Sequence, residues 1–400
     1  MSFSFQTEVV EEGKVRFAVP KLETYMKSQK EYVPSGAPVF YNPIMELNRD
    51  IAILALQAYQ KKLGRKIRVC EPLTGCGVRG IRLAAEVDGI KKVVVNDLSR
   101  EAAKLARFNV EQNNMTKHIS VVNEDANLLL NRYAAPHKRF DYIDVDPFGS
   151  PVLYIDSAVR ALRDGGLLAL TATDMAPLCG VYPKACVRKY GGRPLRTEYC
   201  HELAVRLLAG CLATIAARHE MRIKVLFSHS TNHYIRLYAS VHYGAKQADI
   251  SIQKMGYILH CFACFHRETS EGIFSHLKQE CPECDAQLKT AGPLWLGELF
   301  DEDFCSLMEK DVERRHLKQE KRIVKLLSLA KNEAKAPITY FVVDKFCDKL
   351  NLPTPSTIKV MEELRNMGFQ AVLTHFNSKG IRTDASANVV KEIITRVLNN

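Results

Sequence analysis

The sequence predicts an α/β protein: a mainly parallel sheet wound with helices, followed by a second, smaller α+β domain. Three observations predict it. Short β-branched runs alternate with helical stretches from about Ile67 to Val241; a glycine-rich turn, Gly75-Cys-Gly77-Val-Arg-Gly80, directly follows the first run; and two Cys-x-x-Cys pairs stand where the alternation stops. Strands alternating with helices of this length build βαβ units and hence a parallel sheet.

Taken in order, Ile67 to Cys70 reads as a strand and Gly80 to Val87 as a helix. Lys92 to Asn96 is a second strand and Arg100 to Gln112 a second helix; Ile119 to Asn123, Phe140 to Val145 and Gly166 to Thr173 are further strands. Ile223 to Phe227 with Ile235 to Val241 completes the set. The pattern changes after Tyr243-Gly-Ala, so the chain divides into residues 1–244 and 245–400. A charged helix is expected from about Asp301 to Ala334, then helices over Tyr340–Leu350 and Ser356–Met367 and a hairpin around Phe369–Arg382. Two short helices and a β wing match a winged-helix module, a shape used against nucleic acid. The competing reading is a plain α+β packing domain.

Four hundred residues fit two or three domains of about 100–200 residues each. With 46% hydrophobic and 25% charged residues, the chain can bury a sizeable core, which excludes disordered and fibrous classes. Lys and Arg number 56 against 45 Asp and Glu, a net +11 that suits a polyanionic partner without requiring one. Met1 to Glu8 lacks a basic region followed by an apolar core, so no secretory signal is expected. The best apolar run, Ile51 to Leu56, is far short of the roughly 20 residues of a membrane helix. A cytoplasmic protein with no membrane contact is expected, its twelve cysteines serving as thiols and metal ligands rather than disulfides.

Glu71 to Gly80 turns from a strand into a helix, and its glycines let backbone approach a ligand with helix N–H groups pointing at it. Asp97 ends the second strand, where a carboxylate can accept both hydroxyls of a ribose. Asp125, followed by Ala126, ends the third, where an acid can accept from an adenine amino group. Acids at these strand ends fit a nucleoside with a cationic, phosphate-free tail. That points to S-adenosylmethionine rather than a dinucleotide, and to a Rossmann-like class I methyltransferase sheet. Gly75, Gly77, Asp97 and Asp125 are therefore cofactor candidates, weighed against simple turn chemistry; Glu71 is balanced between the two.

The fourth strand ends in Asp144-Val-Asp146-Pro147-Phe148-Gly149-Ser-Pro151. Carboxyl ends of parallel strands face the ligand crevice. An exocyclic amine attacks poorly because its lone pair is delocalised into the base. A carboxylate accepting an N–H bond orients the nitrogen and offsets its developing charge. An aromatic holds an extruded base by stacking, and proline fixes the geometry of both. Asp146 and Phe148 are thus catalytic candidates, against an ordinary strand-to-loop turn; Asp144 stays open between a supporting acid and a solvated strand residue.

Here the chain resembles a family. Val39-Phe40-Tyr41-Asn42-Pro43, Asn48-Arg49-Asp50, Gly75 to Gly80, Asn96-Asp97 and Asp146 to Pro151 look like the tRNA (guanine-N2)-dimethyltransferases. Thr171 to Gly180, His229 to Arg236 and Gly380 to Ala385 continue the likeness over nearly the whole chain. The resemblance implies S-adenosylmethionine-dependent methylation of the exocyclic nitrogen of guanine 26 in tRNA. It implies cofactor contacts at Arg49, Arg79, Asp97, Asp125 and Ala126, a catalytic carboxylate at Asp146, and a guanine held between Phe40 and Phe148. Arg49 and Arg79 suit the methionine carboxylate, because guanidinium binds carboxylates bidentately.

Cys261-x-x-Cys264 and Cys281-Pro-Glu-Cys284 have the spacing of a structural zinc site, two knuckles closing one tetrahedron. The alternative is four reduced thiols in a small core. The other cysteines show no paired ligand spacing, and none reads as a nucleophile. His229 and His233, about 13 Å apart along a strand, are too distant to share an ion. The basic stretch Arg314, Arg315, Lys318, Lys321, Arg322 and Lys325 either touches phosphates or forms a solvated helix face.

Together these readings give a two-domain tRNA methyltransferase. Residues 1–244 bind S-adenosylmethionine and residues 245–400 hold zinc and tRNA, with no obligate protein partner. The rivals are an NAD(P)-dependent oxidoreductase, a non-catalytic RNA-binding protein on the same shell, and a methyltransferase for another base.

Overall fold

Alternation of buried strands and amphipathic helices produces the expected parallel sheet. The computed structural model describes every residue except 1, 2, 29, 30, 33, 232, 275 and 400. The chain gathers into two units. The first holds Met1–Pro147, Leu153–Leu170 and Ser306–Val324; the second holds Phe148–Val152, Thr171–Cys305 and Lys325–Asn400.

The first unit begins with a hairpin, β1 (Thr7–Glu12) and β2 (Val15–Pro20), reversing at Gly13. A short antiparallel pair follows, β3 (Met26–Ser28) and β4 (Glu31–Tyr32). Helix α1 (Glu46–Leu63) buries Leu47 to Tyr59 and ends at Gly64, whose φ of 62° is a left-handed cap. The series then runs β5 (Ile67–Glu71), α2 (Val78–Glu86), β6 (Ile90–Asn96), α3 (Arg100–Gln112), β7 (Ile119–Val122), α4 (Ala126–Arg132), β8 (Phe140–Val145), α5 (Val152–Ala161) and β9 (Leu162–Ala172). These five strands pair in parallel in the order β9-β8-β5-β6-β7. Every residue of β8 is buried, as in a strand covered on both faces. The chain winds outward from β5 through β6 to β7, then returns to the other side of β5 as β8. Strand order therefore reverses between β5 and β8, and the crevice at their carboxyl ends is where such sheets bind ligands.

The second unit contains α6 (Met175–Leu178), α7 (Pro183–Tyr190), α8 (Cys200–Ala217), an antiparallel hairpin of β10 (Met221–Thr231) and β11 (Tyr234–Tyr243), and α9 (Ala245–Gln253). A small antiparallel sheet comes next, ordered β13-β12-β14 from β12 (Met255–His260), β13 (Arg267–Glu271) and β14 (Lys289–Trp295). Next along the chain, α10 (Glu302–Val312) falls mostly in the first unit and α11 (Glu320–Glu333) mostly in the second, which continues with β15 (Phe341–Val342), α12 (Val343–Leu350), α13 (Thr357–Asn366), β16 (Ala371–Leu373), β17 (Gly380–Thr383) and α14 (Ala387–Asn399). The last three strands order β15-β17-β16, and Phe346, Val360, Leu364, Ile381 and Ile394 form the core of this winged-helix-like module.

Two expectations need correction. The charged helix over 301–334 is two helices, α10 and α11; between them the chain turns to bury Leu317, which one straight helix would not present to the same core. Ile51–Leu56 is not the longest apolar helix segment. That is α8, 18 residues of mean hydropathy 1.4, long and apolar enough to cross a membrane by length and composition. It is 72% buried within the protein, the profile of a core helix.

Candidate active site

At the reversal between β5 and β8, the loop after β5 is built from left-handed glycines: φ is +56° at Gly75 and +85° at Gly77. A Cβ on Gly75 would come 2.9 Å from the carbonyl oxygen of Phe40, so only glycine lets the two segments meet. The Thr74 N–H donates to the Asn96 carbonyl at 2.8 Å, and the Gly75 N–H to Asp97 Oδ2 at 2.8 Å. Asp97 Oδ1 accepts from the Ser99 N–H at 2.9 Å. Burial raises the Asp97 carboxyl above its ordinary value, against these two bonds.

Asp125 caps α4, accepting through Oδ1 from the N–H groups of Asn127 (2.8 Å) and Leu128 (3.1 Å). Ala126, the first helical residue, is buried. Leu98 and Leu128 stand beside or just after these two acids with 66% and 59% of their surface exposed. Apolar side chains left open next to carboxylates suit the faces of a flat, polar-edged ring.

Arg79 joins this loop to the end of β8. It stands in the first turn of α2, and its Nη2 pairs with Asp146 Oδ2. Its Nη1 donates to Asn48 Oδ1 at 2.8 Å and lies 3.7 Å from Asp144 Oδ2, while Nε is 3.5 Å from Glu71 Oε1. Asp144 is fully buried and accepts from the Tyr142 hydroxyl at 2.5 Å, which decides for the supporting acid over the solvated residue. Glu71 is held by Thr74 Oγ1 (2.5 Å) and the Gly80 N–H (2.9 Å). Burial outweighs Arg79 and pushes the Glu71 carboxyl up to about 8.

Arg49 sits in a different setting from Arg79. It is buried and clamped by Glu12, Nε to Oε1 at 2.6 Å and Nη2 to Oε2 at 2.7 Å, with Nη2 also on the Asn42 carbonyl at 3.1 Å. Glu12 further pairs with Arg82 at 2.7 Å, and Arg82 reaches Asp50 at 2.7 Å and Glu86 at 2.8 Å. Phe40 is half-buried in the first unit; Phe148 belongs to the second and exposes 66% of its surface. Gly149, left-handed at φ +75°, exchanges hydrogen bonds with Thr173 that fix the turn behind Phe148.

Sequence reasoning missed three residues that assemble this crevice. Glu12 is one. Asn96 donates to the carbonyls of Pro72 (2.9 Å) and Glu124 (3.0 Å), tying three strand-end loops together. Asn109 donates to the carbonyls of Cys76 (2.8 Å) and Ala18 (2.9 Å), tying the glycine loop to β2. Only the pair Asn96-Asp97 carried a signal, through the resemblance.

The four knuckle cysteines converge in the second unit, their Sγ atoms all within 4.8 Å of one another. Cys261 and Cys284 are 3.5 Å apart and Cys264 and Cys281 3.4 Å, against about 3.8 Å for thiolates around one tetrahedral zinc. The N–H groups of His266 and Glu283 donate to Cys264 and Cys281 Sγ at 3.4 Å each, which offsets thiolate charge. The donor set fits a four-thiolate ion. His229 is buried and bonded to Thr231 (2.8 Å) while His233 is exposed in the hairpin turn, so they form no common site. Arg315 pairs with Asp311 at 2.7 Å and Lys318 with Glu46 at 3.1 Å, committing part of the basic stretch to ion pairs.

Comparison with known proteins agrees with this geometry. A tRNA (guanine(26)-N(2))-dimethyltransferase from Methanobrevibacter smithii is 43% identical over 390 residues, covering 98% of this chain and 97% of its own. A tRNA (guanine(26)-N(2)/guanine(27)-N(2))-dimethyltransferase from Aquifex aeolicus is 36% identical, covering 95% and 93%. The solved structure of Trm1 from Pyrococcus horikoshii with S-adenosyl-L-methionine superposes with a TM-score of 0.85 at 33% identity, covering 97% of this chain and 99% of that one. The family model of N2,N2-dimethylguanosine tRNA methyltransferase matches residues 13–395. With a family model and relatives that each span nearly all of it, the chain belongs to the N2,N2-dimethylguanosine tRNA methyltransferase family.

Proposed function

We propose that this protein is an S-adenosylmethionine-dependent tRNA methyltransferase that places one and then two methyl groups on the exocyclic N2 of guanine 26. The observation that carries the reading is the Arg79 bridge. It joins the helix opened by the glycine loop to Asp146, so the cofactor loop and the amine-orienting carboxylate share one side chain. When bound, the cofactor supplies an electrophilic methyl group on a sulfonium.

The chain's residues supply the rest. Asp97 and Asp125 accept from the ribose hydroxyls and the adenine amine, Leu98 and Leu128 flank the base, and the Gly75–Gly77 backbone makes room for the tail. Arg79 engages Asp146 through Oδ2, which leaves Oδ1 to accept an N–H from guanine N2. That bond orients the nitrogen, offsets the positive charge it gains on attack, and receives the proton afterwards. Phe40 and Phe148 hold the extruded guanine by stacking. Arg49, fixed by Glu12, provides positive potential toward the methionine carboxylate. Residues 1–244 carry this chemistry. Residues 245–400 carry a structural zinc on Cys261, Cys264, Cys281 and Cys284 and hold tRNA through the winged-helix-like module, reading backbone and shape. A cytoplasmic location follows from the substrate.

The test is incubation with labelled S-adenosylmethionine and an unmodified tRNA transcript, followed by nucleoside analysis. N2,N2-dimethylguanosine that disappears when guanine 26 is changed to adenine is expected. Label on an adenosine would sink the guanine assignment, and no label from a protein that binds the cofactor would favour a non-catalytic RNA-binding role.

A further inference from the structure

A second group of metal-ligating side chains lies outside both the crevice and the four-cysteine knuckle. Cys179, Cys200 and His201 are scattered in sequence and have no ligand spacing, yet each can place a ligand atom so that all lie within 4.8 Å of one another. We propose that Cys179, Cys200 and His201 form a second, solvent-accessible binding site for a thiophilic divalent cation of the zinc class. This site is independent of the proposed catalytic residues.

The fold brings the three together without help from an ion. Cys179 closes the short helix α6, its N–H bonded to the Met175 carbonyl at 2.7 Å. Gly180, left-handed at φ +87°, lies against the chain at Leu195–Arg196; a Cβ there would come 2.8 Å from the Arg196 nitrogen and 2.9 Å from the Leu195 carbonyl carbon. That close approach sets Cys179 beside the start of α8, where Cys200 and His201 are the first two helical residues. Leu178 and Tyr199, fully buried, anchor the flanks on both sides. The Cys179 thiol donates to the Cys200 carbonyl at 3.7 Å.

The chemistry of the three groups suits ligation. Two thiolates and one imidazole give a neutral complex with a divalent cation. The ligand atoms lie within 4.8 Å of one another, so reaching the ~3.5–3.8 Å of a tetrahedral ion needs at most about 1 Å of side-chain adjustment. All three residues are half-buried, so solvent reaches the cluster and can supply a further ligand. On binding, each thiol that ligates loses its proton to solvent.

The test is zinc content of the full-length protein by elemental analysis after equilibration with zinc under reducing conditions and gel filtration. The wild type should carry one more zinc than Cys179→Ser or Cys200→Ser. The Cys261→Ser/Cys281→Ser double variant should keep that extra zinc and release two or fewer protons on taking it up. His201→Ala should weaken its binding by roughly 10–100-fold. Equal zinc in the wild type and both serine variants overturns the site, whatever the knuckle holds. A Cys179–Cys200 disulfide with no second zinc also overturns it. Should the variants misfold by circular dichroism, cobalt(II) titration of the wild type decides. A second equivalent with thiolate charge-transfer absorption supports the site, and its absence overturns it.

Discussion

At the residue scale, transfer is expected to turn on Asp146. Asp146→Asn keeps the size and one acceptor oxygen but removes the charge that offsets the attacking nitrogen. The turnover rate should fall by ~10²–10⁴-fold with cofactor affinity little changed. Calorimetric titration with S-adenosylmethionine checks this; a collapse of cofactor binding would reassign the carboxylate to the cofactor. The placement of Asp97, Asp125, Asp146 and Phe148 just past the ends of alternating strands was legible in the sequence, because each follows a β-branched or apolar run. Phe40, Arg49 and Arg79 carried no local signal and came only with the family resemblance. Glu12, Asn96 and Asn109 were not legible as site residues, because each acts through partners 24 to 91 positions away. Cys179, Cys200 and His201 were passed over for the same reason.

At the element scale, the N-terminal hairpin, α1 and α2 share a buried network of charges. Glu12 on β1 holds Arg49 of α1 and Arg82 of α2, all of them nearly inaccessible to solvent. Removing one member of a buried ion network leaves its partners charged and unpaired, which costs about 3–5 kcal/mol. Glu12→Gln should therefore lower stability by about that amount in denaturant melts and weaken cofactor binding through a displaced Arg49. A loss of less than ~1 kcal/mol would mean that Asp50 and Glu86 suffice for both guanidiniums. Strands β5 to β8 were legible from their β-branched runs, and the four-cysteine cluster from its spacing. Helix α8 was not, since its apolar run is interrupted by buried Glu202 and Arg206, which pair at 2.8 Å and so cease to look like surface charges. The break between α10 and α11 was hidden because charge patterning continues across it while the buried face does not.

At the scale of the whole molecule, acid should unfold the second unit through a second buried network. Glu333 accepts from Thr374 (2.6 Å), His375 (2.8 Å) and Arg382 (2.6 Å), and Arg382 also meets Glu202 at 3.0 Å. Burial opposes ionisation of Glu333, but His375 and Arg382 prevail and hold its carboxyl at about 2, below the ordinary 4.5. The stabilisation is present above pH 4.5 and is lost as pH falls toward 2, because the unfolded chain takes up the proton first. Thermal melts between pH 5 and 2 should show a steeper loss for the wild type than for Glu333→Gln; parallel slopes would remove Glu333 from the account. Cofactor class and substrate class were legible at this scale, from the acid set and the resemblance. The grouping of the chain was not, since composition changes at 244 whereas the second unit draws on Thr171–Cys305 and Lys325–Asn400, and the first recruits Ser306–Val324. That interleaving has a consequence during synthesis on the ribosome. Each unit is completed only by a segment translated late, Ser306–Val324 for one and Lys325–Asn400 for the other. The chain is therefore expected to finish its two units together rather than one after the other, as tandem domains do. While it waits, the apolar α8 stands without β14, whose backbone lies against Gly210 in the finished protein, so a ribosome stalled in mid-message would hold a client for chaperones rather than a folded half.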